Sequence, residues 1–155
     1  MNARGFTLVE TLVAISMTAI ALTSLAQLFI VATRANASAR RATFASILAV
    51  QKTEQLRSLG PDLTPVVATL NANTPGACDF LNQYGESLGT GSMPLPNTVY
   101  IRRWSIEPLA SAPDIFIVQV AVFPLSRSGV VNPPVSDART LGGAQIVTIK
   151  TRRAG

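Results

Sequence analysis

An α+β fold is predicted for this 155-residue chain: a long N-terminal helix, apolar in its first half and amphipathic in its second, packed on a small antiparallel β-sheet. Three features of the sequence predict it. Residues 6–33 hold one formal charge, Glu10, and neither proline nor glycine. The following stretch, to Leu59, is dense in helix formers and ends at Gly60-Pro61. Beyond residue 97, three segments rich in β-branched and aromatic residues are separated by connections containing proline or glycine.

The apolar run comes first. As a helix it would extend about 42 Å, more than the roughly 20 residues needed to cross the hydrocarbon core of a bilayer. Glu10 is its odd residue, since an ionisable group inside a span is by default a functional-site hypothesis whose partner should be named. No lysine or arginine lies within the span. The positive group within reach is a new α-amino group at Phe6, created if the chain is cut after Gly5, with a pKa of ~7.7–8.0 at the positive end of the helix dipole. Counting charges alone favours an orientation opposite to that of an exported C-terminal domain, because Arg34, Arg40 and Arg41 follow the span and only Arg4 and the initial amine precede it.

The segment Arg4-Gly5-Phe6-Thr7-Leu8-Val9-Glu10, followed by an apolar stretch, resembles the class III signal of type IV pilins and type II secretion pseudopilins. The resemblance covers about ten residues in the motif and, with the helix, around thirty. It implies cleavage between Gly5 and Phe6 by prepilin peptidase, N-methylation of Phe6, and a role for Glu10 in assembly, pairing with the Phe6 amine of a neighbouring subunit. It also implies an orientation with the N-terminus cytoplasmic, because the peptidase site faces that side in the family. The division expected is a leader at residues 1–5, a transmembrane or filament-core helix at 6–33, and an exported globular domain at 34–155 that includes the second half of the helix.

That second half, residues 34–59, places Phe44, Leu48, Gln55 and Leu59 at helical spacing, with Ala45, Ala49 and Leu56 widening the apolar arc. Arg41 and Lys52 intrude on it. Gly60-Pro61 is a strong stop. Residues 62–96 read as irregular, with residues 66–70 and 79–81 as possible short elements. Strands are expected at residues 98–106, 114–123 and 144–152. The second is the most hydrophobic and is expected to be central, with Phe116, Val118, Val120 and Val122 on one face. The connection at 109–113 is short enough for a hairpin, giving a meander packed on the helix.

The composition narrows the function. With no histidine and one cysteine, Cys78, the chain offers no Ser-His-Asp or Cys-His arrangement and no His-Cys metal set. The scattered acids form no oxygen-rich calcium loop. No catalytic residue, metal or cofactor is expected, and no intrachain disulfide is possible. The net charge of +5 and mean hydropathy of +0.34 suit an anchored domain with a solvated basic surface; attraction to DNA, acidic polysaccharide or lipid head groups is the sharper alternative. Arg102, Arg103 and Trp104 stand together in the first expected strand. They read either as a half-buried cross-strand feature, with the Arg102 stem on the indole, or, with Tyr100, as a surface for single-stranded nucleic acid.

The lack of a cystine loop and of a proline in the apolar helix departs from the pattern of many major pilins. Residues 48–57, Arg103-Trp104 and the Ile-Val-Thr-Ile-Lys-Thr ending are similar to V-type minor pilins and also to I-like minor pseudopilins. The resemblance thus implies a minor type IV pilin. Its partners would be prepilin peptidase, other pilin or pseudopilin subunits, an inner-membrane assembly platform, and membrane lipid before assembly. A minor pseudopilin of a type II secretion system is the alternative, and an anchored binding module that never polymerises is the second. The expected location is the inner membrane, single-pass, then a pilus or periplasmic pseudopilus.

Overall fold

The structure is a computed structural model that describes residues 7–59, 63–125 and 142–151. One helix, α1 (Leu8–Ser58), precedes five strands: β1 (Cys78–Leu81), β2 (Ser87–Gly89), β3 (Tyr100–Leu109), β4 (Ala112–Pro124) and β5 (Ala144–Thr151). The fold is α+β, as predicted. The chain divides into two compact units, Met1–Ser38 and Ala39–Gly155.

In the first unit every described residue is helical or at the helix start, and every one is exposed. The exposed set includes Leu12, Ile15, Ile20, Leu25 and Phe29. The hydroxyls within this apolar stretch are satisfied by the helix itself. Ser16, Thr18, Thr23, Ser24 and Thr33 each donate to the carbonyl four residues earlier, a pattern that removes most of the cost of facing an apolar medium. The helix is long and apolar enough to cross a membrane.

In the second unit the helix buries Ala45, Leu48, Ala49, Thr53 and Leu56, the three- and four-residue spacing of one face. Ala45 and Ala49 are fully buried, and their small side chains let the helix approach the sheet closely. Leu59, expected in this arc, lies past the helix end and is 46% exposed. Thr53 takes part instead, its hydroxyl donating to Ala49 O at 2.8 Å. The last turn is held by β5: Lys150 Nζ donates to Arg57 O, supplying a cation where helix carbonyls are unpaired.

The sheet is antiparallel throughout, in the order β2-β1-β3-β4-β5. Of the two short elements expected within residues 62–96, that at 79–81 is β1 and that at 66–70 contributes Val66 to an isolated bridge with Ile106. Two expectations change here, the first being that the same stretch also supplies β2. The middle strand is β3, while β4 lies between β3 and β5. The hairpin between β3 and β4 is tighter than expected, with Ala110 and Ser111 alone between the strands. Pro108 is tolerated inside β3 because of the alternation along the strand. Trp104 N and Ile106 N bond outward to Ala77 O and Val66 O, so position 108 also turns its nitrogen away from β4, and no ladder bond is lost.

Each face of the sheet has its own cover. Leu81, Tyr100, Ile106, Phe116, Val118, Val120 and Val122 pack with the helix residues in the main core, joined by half-buried Phe44, Trp104 and Ile146. On the opposite face Leu70 meets Ala121 and Phe123, while Cys78, Phe80 and Ile101 form a third cluster with Leu125. The β1–β2 turn needs glycine at Gly85. Its φ is +83°, and a Cβ there would stand 2.7 Å from Leu48 Cδ2.

Candidate functional site

Two groups of residues were singled out by the sequence, one at the start of the helix and one in β3. At the helix start Thr7 is the N-cap. Its backbone nitrogen donates to Glu10 Oε2 at 2.8 Å, and its hydroxyl donates to the same oxygen at 2.8 Å. Glu10 N in turn donates to Thr7 Oγ1 at 3.3 Å. This reciprocal arrangement is a capping box, in which two helix-end donors are satisfied at once. The signature was present in Thr7-Leu8-Val9-Glu10, three residues apart, but the same letters also belong to the signal motif. Glu10 is therefore a structural element of its own helix, whatever else it does. Gly5 and Phe6, the expected cleavage and methylation positions, lie outside the described residues.

The β3 triplet is arranged differently from the surface envisaged for it. Alternation sends Arg102 and Trp104 to the helix side and Arg103 to the other face. Arg102 grips Asp79, its cross-strand partner in β1, through Nε–Oδ1 at 3.0 Å and Nη2–Oδ2 at 2.7 Å. Its Nη1 reaches the helix at Leu48 O, 3.3 Å, and Gln51 Oε1, 3.4 Å. Arg103 is completely buried. It donates to Asn73 Oδ1 at 2.9 Å and to Leu70 O at 2.7 Å, and its guanidinium lies 4.9 Å from the centre of the Phe123 ring. Burial pushes the Arg103 guanidinium below its ordinary range, with Cys78 opposing the shift.

The aromatic partner in this group is also not the one expected. Lys52 Nζ, rather than the Arg102 stem, sits 3.8 Å over the Trp104 ring, the geometry of a cation–π contact. Burial lowers the pKa of Lys52; Asp79 opposes the shift and Arg102 adds to it. A surface for single-stranded nucleic acid needs guanidinium groups that can reach phosphate. Here both are used internally, one on the helix and one on the covering segment. Their partners Asp79, Asn73 and Leu70 were not identifiable from the sequence, because the short elements expected at 66–70 and 79–81 carried no indication of which strand they would pair with. Among the described residues no group of three His, Cys, Asp or Glu converges as a metal site.

The fold and the N-terminal segment define a class of protein, one in which an apolar helix bearing a terminal acid continues into a helix packed on an antiparallel sheet. Residues 1–26 match the family model described as the prokaryotic N-terminal methylation motif. That match supports the type IV pilin and pseudopilin family. No curated protein and no solved structure matches the chain.

Proposed function

We propose that this chain is a minor type IV pilin. It is cut after Gly5 by prepilin peptidase, methylated at Phe6, held in the inner membrane by residues 6–33 with residues 34–155 exported, and assembled with other subunits into a pilus. The observation that carries this reading is the methylation motif at residues 1–26 running directly into an exposed apolar helix. The single cysteine and the absence of proline in the apolar run favour a minor over a major subunit. The chain then acts as a subunit rather than a catalyst.

Glu10 is the proposed assembly residue, with the Phe6 ammonium of a neighbouring subunit as its partner. A carboxylate in an apolar filament core needs such a partner, and only one axial offset brings the charges together. The capping box provides a way to test this. A capping box accepts glutamine as well as glutamate, so Glu10→Gln keeps the acceptor for Thr7 N and removes the charge, whereas Glu10→Ala removes both. Assembly by charge pairing predicts that both variants insert and are cleaved, and that both are largely lost from sheared filaments. Glutamine variants incorporated at wild-type levels would leave Glu10 as a cap alone. Processing is tested separately by mass: Gly5→Leu should retain residues 1–5, and a shortened Gly5→Leu product would contradict cleavage there.

A further inference from the structure

Between Glu10 and Glu54 the helix carries no acid, and its charges are Arg34, Arg40, Arg41 and Lys52. Lys52 is used on Trp104. The arginines are exposed, and no hydrogen bond or ion pair engages them among the described residues. Arg40 and Arg41 lie at the start of the second unit, six and seven residues after Arg34. This end of the unit can be located from its contacts. Phe44 packs on Tyr100 with ring centroids 5.5 Å apart, and Arg41 acts on the Tyr100 phenol, opposing the upward shift that burial gives it. The turn at Gly85 closes over Leu48 and Phe44 and carries Tyr84, which is 74% exposed. Of the carboxylates in β1 and its turn, Asp79 is paired with Arg102, while Glu86 accepts from Asn82 Nδ2 at 2.7 Å and keeps its charge.

Two free guanidinium groups and an exposed tyrosine at the end from which the chain leads to its apolar run have the composition of a membrane-interface anchor. Guanidinium binds phosphate through paired N–H donors, and tyrosine settles at the headgroup level. We propose that Arg40 and Arg41, with Tyr84, dock the second unit on the phosphate groups of anionic phospholipids before assembly. This rests on the membrane-anchored reading above. It also gives a use to arginines placed on the side where charge counting alone does not expect them. Incorporation into a filament then requires these contacts to be released, so the lipid would hold the subunit back in the membrane.

The test uses the full chain in phosphatidylcholine vesicles containing trace spin-labelled phosphatidylglycerol or phosphatidylcholine, comparing the fraction of each label immobilised by the protein. Attraction of about fivefold per arginine near an anionic surface sets a ceiling of roughly thirtyfold for the pair. The wild type should select phosphatidylglycerol several-fold at low salt and lose much of that preference in 1 M salt, where the Debye length is about 3 Å. Arg40→Gln/Arg41→Gln should bring the ratio of the two lipids close to one. Arg40→Lys/Arg41→Lys should keep most of it, and Arg57→Gln, at the other end of the helix, should leave it unchanged. Equal immobilisation of the two lipids by wild type, or a double glutamine variant within twofold of wild type, overturns the proposal. Resistance to carbonate extraction separates the two readings. A chain that is integral but unselective defeats only the docking surface, and a chain released by carbonate defeats the membrane anchor with it.

Discussion

Replacing Asp79 by alanine is the most direct test of how the second unit is held together. The Arg102–Asp79 pair is bidentate, and its side chains are only 8% and 11% exposed. At 2.7 Å and an effective dielectric of about 20, the gross Coulomb attraction is roughly 6 kcal/mol, much of it offset by desolvation. Removing one partner leaves the other charge buried, which costs about 3–5 kcal/mol. Leu48 O and Gln51 Oε1, at 3.3 and 3.4 Å, are neutral acceptors and do not replace the lost counter-charge. Against a domain stability of roughly 5–15 kcal/mol this is a large loss. The single tryptophan, Trp104, sits beside the pair in the same strand and reports unfolding by fluorescence. With a urea slope of about 2 kcal/mol/M, the midpoint should fall by roughly 2 M. Two further variants isolate the cause. Asp79→Leu combined with Arg102→Leu should recover most of the loss, since an apolar pair of similar volume is often neutral. Glu54→Ala, which breaks the exposed Arg57–Glu54 pair, should cost less than about 1 kcal/mol. An Asp79→Ala unfolding free energy within about 1 kcal/mol of wild type would refute the reasoning.

Two more outcomes follow from positions in the same unit. Gly85→Ala forces a side chain into a left-handed turn with its Cβ 2.7 Å from Leu48, and should destabilise by about 1–3 kcal/mol in the same urea assay; a variant as stable as wild type would mean that the turn and Leu48 both move freely. Lys52 has a folded pKa below its ordinary 10.5, so the unfolded chain binds more protons between the two values. Stability should therefore rise as pH increases through that window, and Lys52→Met should flatten the rise when unfolding is measured across it.

The sequence made the long elements legible and the short ones only faintly so, with residues 79–81 expected as a short element and β2 not expected at all. The apolar run and the helix that continues it were readable because charge is nearly absent from the first part and three- and four-residue spacing marks the second. The strands at 98–106, 114–123 and 144–152 were found because their composition is β-branched and aromatic over eight or more residues. β1 has no alternation to detect: all four of its residues are buried, since one face meets the helix side and the other the covering segment. β2 spans only three residues. The short element expected at 79–81 came with no pairing, and that hid the fate of Arg102 and Arg103. Their partners lie 23, 54, 30 and 33 residues away in sequence, at Asp79, Leu48, Asn73 and Leu70. Two adjacent arginines in a strand signal a surface when no partner is in view, and only the pairing of β1 with β3 brings the partners there. At the helix start the spacing of Thr7 and Glu10 was legible as a capping box, yet the signal motif accounts for the same residues.

The two arginines also explain how a chain with one cysteine keeps three layers in register. Apolar packing alone fixes which faces meet but constrains sliding weakly, because it is non-directional. Hydrogen bonds to charged groups are directional and strong. Arg102 fastens the sheet to the helix at Leu48 and Gln51, and Arg103, one residue on, fastens it to the opposite cover at Leu70 and Asn73. Because neighbouring residues of a strand point to opposite faces, two consecutive positions suffice to tie both layers to the middle strand. The consequence for function is that the basic and aromatic triplet of β3 is committed to the interior of the second unit. Binding of an anionic partner therefore falls to the guanidinium groups that have no internal use, and Arg40 and Arg41 are such a pair, at the end of the unit from which the chain leads to its apolar helix.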